Sequence, residues 1–229
     1  MRIAILIFDQ LTALDAIGPY EVLSRLPGAE LEFVATEPGI KRTAPGRLGL
    51  EATKSLGELA DPEIVVVPGG QGTRPLLSDE PLLEWLRAVH EQTRWTTSVC
   101  TGSLLLGAAG ILDGRRATSH WLELESLREF GAEPVAERVV EDGRVITAAG
   151  VSAGIDMALH LAREVAGEEA AQAIQLSIEY DPEPPFDAGS PSKAPAAIVD
   201  RIRNVERAPL EHSYEPSAAN EHAGSPTRP

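Results

Sequence analysis

Two short runs with no polar residue in them do most to narrow the fold. Ile3-Ala-Ile-Leu-Ile-Phe8 lies near the start of the chain and Ile64-Val-Val-Val67 near residue 65. A strand with one face in water alternates apolar and polar side chains. Runs like these belong to strands covered on both faces, as in parallel sheets with helices packed above and below. Leu31 to Ala35 and the β-branched Thr96 to Val99 predict two further strands. Helical spacing fills the gaps between them. Tyr20, Leu23 and Leu26 follow Pro19, which is placed near a helix start. Leu82, Leu83, Leu86 and Val89 share a face behind a cap at Ser78 or Asp79. Thr101 to Gly110, Trp121 to Phe130 (stopped by Gly131), Ser152 to Ala166 and Glu168 to Tyr180 complete the set. Strands alternating with helices predict an α/β fold: a doubly wound, mainly parallel sheet sandwiched by helices.

Two stretches depart from that alternation. Residues 39–54 predict a hairpin excursion, and Glu137 to Thr147 a hairpin turning at Asp142-Gly143. Ala117 to Ser119 reads as a short strand. From Asp181 the composition changes: Pro182, Pro184, Pro185, Pro191 and Pro195 predict an irregular strap over 181–210, with a short helix at Ile198 to Arg203. Residues 211–229 are polar and aperiodic, the pattern of a disordered tail. The expected organisation is therefore an α/β domain over 1–180, then strap and tail.

Composition removes several functional classes. The 229-residue chain is 43% hydrophobic, enough for a core of its own. Its formal charge is −15, from 35 acidic and 20 basic residues, the wrong sign for a nucleic-acid surface. No apolar run reaches the length of a membrane span, and the first one meets Asp9 too soon for a signal peptide. A single cysteine leaves no intrachain disulfide and fits a reducing cytoplasm. His90, His160, His212 and His222 show no metal-ligand spacing, so no metal is expected. Gly69-Gly70 lacks the flanking pattern of a dinucleotide or phosphate loop.

The one cysteine, Cys100, sits at a corner between a predicted strand and a predicted helix. Helix-terminal N–H groups there favour a thiolate and predict a lowered thiol pKa, although a lone cysteine is most often a small buried apolar residue. Ligands in doubly wound folds bind beyond the carboxyl ends of the strands. Asp15, Gly69-Gly70 and Cys100 all follow apolar strands, so they are expected in one crevice. An ordinary helix N-cap is the competing reading of Asp15, and a capping hydroxyl that of Thr101. His120 could approach the crevice from a neighbouring strand end, although a lone histidine before a tryptophan is more often a packed, hydrogen-bonded residue. Asp156 lies within an apolar helix, where a structural partner is the expectation.

Four segments in order carry a family resemblance: Leu14-Asp-x-x-Gly-Pro-x-Glu-Val-Leu23, Val67-Pro-Gly-Gly70, Ser98-Val-Cys-Thr-Gly-Ser103 and Arg116-Ala-Thr-Ser-His-Trp121. Together they resemble the DJ-1/PfpI superfamily, and within it the branch that hydrates isonitriles. The resemblance implies a flavodoxin-like sheet related to class I glutamine amidotransferases, a homodimer, and no cofactor. It also implies three catalytic positions: Cys100 as nucleophile, Asp15 as proton donor or shuttle, and Thr101. Gly70 is expected to bind substrate through its N–H. Members of the superfamily that resemble peptidases place histidine after the nucleophile, where this chain has Thr101. Two alternatives stay open: glyoxalase or deglycase chemistry on 2-oxoaldehydes, and a small-molecule or redox sensor related to transcriptional regulators. The residues after Tyr180 are too few and too proline-rich for a helix-turn-helix region, which favours the enzyme.

Overall fold

The computed structural model describes residues 1–59 and 61–207. The chain divides into one unit of Met1–Pro185 and a second that starts at Phe186. The first unit opens with β1 (Arg2–Leu6), α1 (Ala13–Leu23) and β2 (Glu30–Ala35). The expected hairpin follows as β3 (Gly39–Arg42) and β4 (Gly49–Ala52), paired antiparallel. Then come β5 (Lys54–Ser55), β6 (Ile64–Val67), α2 (Thr73–Leu76), α3 (Glu80–Gln92), β7 (Trp95–Val99) and α4 (Gly102–Ala108). Two short strands, β8 (Arg116–Ala117) and β9 (Glu133–Pro134), flank a 3-10 helix at Glu125–Phe130. The unit closes with β10 (Val139–Asp142), β11 (Val145–Ala148), α5 (Ala153–Ala166) and α6 (Glu168–Ser177).

Seven strands form the central sheet in the order β10-β11-β7-β6-β1-β2-β5. Every pairing is parallel except the β10–β11 hairpin. Helix α1 packs on α5 and α5 on α6, while α2, α3 and the 3-10 helix pack around α4. Such covering explains the uninterrupted apolar runs: Ile3, Ile5, Ile7, Ile64 and Val66 are fully buried. Each buried side chain of this size stabilises the fold by about 1.5–3 kcal/mol relative to exposure. Asp79 caps α3 by accepting the Leu82 N–H at 3.2 Å, as the sequence predicts. No helix among the described residues is long and apolar enough to cross a membrane.

Several expectations need correction. Pro19 is not near the start of α1 but inside it. Its ring cannot donate to the Asp15 carbonyl four residues back, yet the helix continues. Packing maintains it: a Cβ on Gly154 of α5 would lie 3.3 Å from Pro19 Cδ, so the two helices meet on small residues. Residues 125–130 are a 3-10 helix rather than an α-helix from Trp121, and Gly131 ends it at φ +75°. Helix α6 stops at Ser177, three residues early. The strand expected at Ala117 to Ser119 is Arg116–Ala117 instead. In the second unit, the helix expected at Ile198 to Arg203 extends as α7 over Ala196–Arg207, preceded by an exposed Lys193–Asp187 ion pair at 2.8 Å. The expected tail, residues 211–229, lies outside the described residues.

Candidate active site

Cys100 occupies the gap between β7 and α4 with φ +57°, a left-handed conformation that costs a non-glycine residue about 1–3 kcal/mol. Four hydrogen bonds hold it there. Its N–H points to the carbonyls of Ala148 and Ala149, both at 3.0 Å. Its carbonyl accepts the hydroxyls of Ser103 and Ser119, both at 3.1 Å. The glycines around it are demanded by close backbone approach. A Cβ on Gly102 would lie 2.0 Å from the Val67 carbonyl oxygen; one on Gly69 would lie 2.5 Å from Thr101 N and 2.9 Å from Cys100 Cβ. Val67-Pro-Gly-Gly70 and Cys100-Thr-Gly102 are thus two sides of one contact between neighbouring strand ends.

Asp15, the third residue of α1, reaches this contact from the first helix. It caps nothing on its own helix, because Thr12 holds the N-cap position. Its side chain is fully buried, and Oδ2 accepts the Gly69 N–H at 2.9 Å. Oδ1 is buried with no N–H or O–H partner, and the Cys100 thiol interacts with the carboxyl group. Burial pushes Asp15 up to about 7, against the opposing pull of the Gly69 N–H and the thiol.

The Cys100 thiol moves the opposite way from the sequence expectation. Burial, and then the negative charge of Asp15, push it up to about 12. The Thr101 and Val151 N–H groups and the Thr101 side chain favour the thiolate but do not outweigh these. Cys100 is only 5% exposed, and α4 is just seven residues long. A short helix end does not compensate for the lost hydration of a buried anion beside a carboxylate. Between these two values the pair holds a single proton.

Thr101 and Gly70 also meet at this site, though not in the expected way. The Gly70 N–H donates to Thr101 Oγ1 at 2.9 Å, so it is engaged rather than open to a ligand. Thr101 makes no side-chain cap to α4; its hydroxyl instead lies 3.3 Å from the Gly70 carbonyl oxygen. Three participants escaped sequence reasoning. Thr73, fully buried, donates to the Gly70 carbonyl at 2.7 Å and lies 3.3 Å from Thr101 Oγ1. Val151 presents its N–H to the sulfur from a strained φ of +35°. Ser119 lay within a quoted motif, but its bond to Cys100 spans 19 residues. No local signal marks Val151, since its role is carried by its backbone. The neighbouring His120 ring packs beside Gly150, where a Cβ would come within 2.7 Å of it.

The model of the DJ-1/PfpI family matches residues 1–164, nearly three quarters of the chain. The chain belongs to the DJ-1/PfpI family. Within the family it is 46% identical over 203 residues to isonitrile hydratase from Pseudomonas putida, covering 89% of each protein. It is 30% identical over 220 residues to the HTH-type transcriptional regulator GbdR of Pseudomonas aeruginosa, covering 92% of this chain but 54% of the regulator. Among solved structures, a THiJ/PfpI family protein from Pseudomonas syringae superposes with a TM-score of 0.87 at 38% identity, over 89% of this chain and 85% of that one. The doubly wound sheet is accordingly the flavodoxin-like fold of this family.

Proposed function

We propose that this protein is an isonitrile hydratase, adding water to an isonitrile to release an N-substituted formamide. The observation that carries the reading is the fully buried Asp15 carboxyl group held by the Gly69 N–H against the thiol of Cys100. The reaction needs one nucleophile and one proton delivered to the same carbon. Cys100 Sγ forms a bond to the terminal isonitrile carbon as the proton held by the pair passes to that carbon. The product of this step is a thioimidate, Cys–S–CH=N–R. Water then adds to the thioimidate carbon; one of its protons goes to the nitrogen and the other to sulfur as the C–S bond breaks, which gives R–NH–CHO and restores the thiol. Because burial disfavours the thiolate, it need exist only as the carbon–sulfur bond forms.

Thr101 acts from the opposite side, its backbone N–H favouring negative charge on sulfur. Its hydroxyl oxygen accepts the Gly70 N–H at 2.9 Å and gives only a long 3.3 Å bond to the Gly70 carbonyl, which Thr73 already satisfies at 2.7 Å, so the Thr101 proton turns from that carbonyl to orient the attacking water. Gly70 in this scheme serves substrate through Thr101 rather than directly. The 46% identity to a protein named isonitrile hydratase, over 89% of each chain, supports the same reading. A homodimer acting in the cytoplasm on a small molecule, without cofactor, metal, membrane or nucleic acid, is part of this proposal. The deciding experiment assays the purified protein in parallel with an alkyl isonitrile and with methylglyoxal. Formamide release is expected. Lactate release alone would move the assignment to 2-oxoaldehyde chemistry, and inertness towards both would favour a sensor.

A further inference from the structure

The strained Val151 raises a question that the reacting residues do not answer: what holds its N–H on the sulfur. The turn it belongs to, Gly150-Val151-Ser152, joins β11 to α5; its carbonyls accept the first N–H groups of α5 at 3.2–3.4 Å, which fastens it to the helix but not to the end of β11. Arg138, an exposed residue just before β10, touches this turn on both sides. Its carbonyl accepts the Ala149 N–H at 2.9 Å, before the strained residue. Its guanidinium donates to Ser152 Oγ at 3.2 Å, after it. The same guanidinium grips Asp156 on the first turn of α5, with Nε at 2.8 Å and the terminal nitrogen at 2.5 Å from Oδ2. Tyr180 donates its hydroxyl to that same oxygen at 3.1 Å. An exposed ion pair alone is worth little, but a planar guanidinium held by three hydrogen bonds to two side chains defines geometry as well as energy.

We propose that Arg138 is a positioning residue for the nucleophile: by bonding Ala149, Ser152 and Asp156 together, it keeps the strained turn that aims the Val151 N–H at Cys100 Sγ. Asp156 and Tyr180 hold the guanidinium in register. The surface cluster Arg138–Asp156–Tyr180 thereby acts on a buried sulfur that none of its side chains touches. The inference rests on Cys100 being the reacting group of the proposed function, but not on which substrate it attacks.

The test uses the fact that Cys100 is the only cysteine in the chain, so alkylation by iodoacetamide reports it alone. Rates are measured across pH for wild type, Arg138→Gln, Arg138→Lys, Asp156→Asn and the Arg138→Gln/Asp156→Asn double variant, with thermal midpoints alongside. Loss of one N–H donor to the thiolate is expected to slow alkylation about threefold at a given pH, about half a pH unit in the profile. Arg138→Lys, which lacks the fork, should behave like Arg138→Gln, and the double variant should be no slower than Arg138→Gln. An unchanged alkylation profile with a lowered midpoint would overturn the proposal and leave the cluster as a fastening for α5. Should Arg138→Gln fail to fold, Asp156→Asn and Tyr180→Phe decide the matter by the same readout. A slowed thiol in a protein inert to isonitriles would refute the hydratase reading while sustaining this one.

Discussion

The Gly69 N–H donates to Asp15 Oδ2 at 2.9 Å, and this bond fixes a fully buried carboxyl group against the thiol of Cys100. It ties the first helix to the end of the central strand β6, 54 residues later, and it leaves Oδ1 without an N–H or O–H partner. A carboxyl so placed costs stability whenever it is ionised. The site therefore spends folding free energy to keep a proton available.

Asp15→Asn is expected to lose about 10²-fold or more in turnover, because the amide keeps the acceptor for Gly69 but cannot pass a proton on. Steady-state hydration of an alkyl isonitrile measures it. Near-normal turnover would reduce Asp15 to a structural role.

The same substitution should stabilise the fold at alkaline pH. Asp15 is raised from 3.8 to about 7 on folding, so the folded state binds its proton more tightly than the unfolded chain does. That contribution is full below pH 3.8 and is lost as pH rises through about 7, with an upper bound of about 4 kcal/mol. His90 works in the opposite sense: burial and the Arg144 and Arg115 charges lower it to about 4, so its contribution is lost as pH falls below its ordinary 6.5. Subtracting wild type from Asp15→Asn cancels His90. The thermal midpoint of the variant should exceed wild type at pH 8 and converge on it near pH 4. Parallel curves across that range would contradict the raised Asp15.

Alkylation of Cys100 should rise in two steps. The first follows loss of the first of the pair's two protons near pH 7, and the second, much larger, lies towards pH 12 as the remaining proton leaves the thiol. In Asp15→Asn the first step should vanish and the second move to lower pH, because the repelling carboxylate is gone. A lone inflection near the ordinary thiol value in wild type would remove the case for a buried, coupled pair. Cys100→Ser and Cys100→Ala should abolish hydration, since an alcohol is a far weaker nucleophile.

Thr101→Val is expected to be milder than either, because the backbone N–H survives while Gly70 loses its hydroxyl acceptor. Thr73→Val should act in the same direction and add little on top of Thr101→Val, since the two hydroxyls form one network. A double-mutant cycle on kcat checks this, and full additivity would separate them.

Gly102→Ala should destabilise the whole domain by about 1–3 kcal/mol or more, because the new methyl group would lie 2.0 Å from a backbone carbonyl that has nowhere to move. Urea denaturation measures it, and a wild-type midpoint would disprove the close approach. Sedimentation at micromolar concentration tests the proposed homodimer, and a purely monomeric protein would count against it.

The sequence by itself determined the layers and the neighbourhood of the site. Unbroken aliphatic runs at Ile3 to Phe8 and Ile64 to Val67 admit only doubly covered strands, and short motifs after such strands mark a crevice at their carboxyl ends. It also picked out Asp15, Cys100, Thr101 and Gly70, which do meet in space. What only the tertiary structure decided was the state of these groups. A helix end beside Cys100 is visible along the chain, but the desolvation and the opposing carboxylate that raise its thiol come from residues packed across it. The Gly70 N–H looked available until the Thr101 hydroxyl came to lie against it. Pro19 was misplaced for a related reason, as packing on Gly154 supports a helix that local propensity would end. Thr73, Val151 and Arg138 left no mark in the sequence, because contact order and backbone strain are properties of the folded chain and not of any residue type.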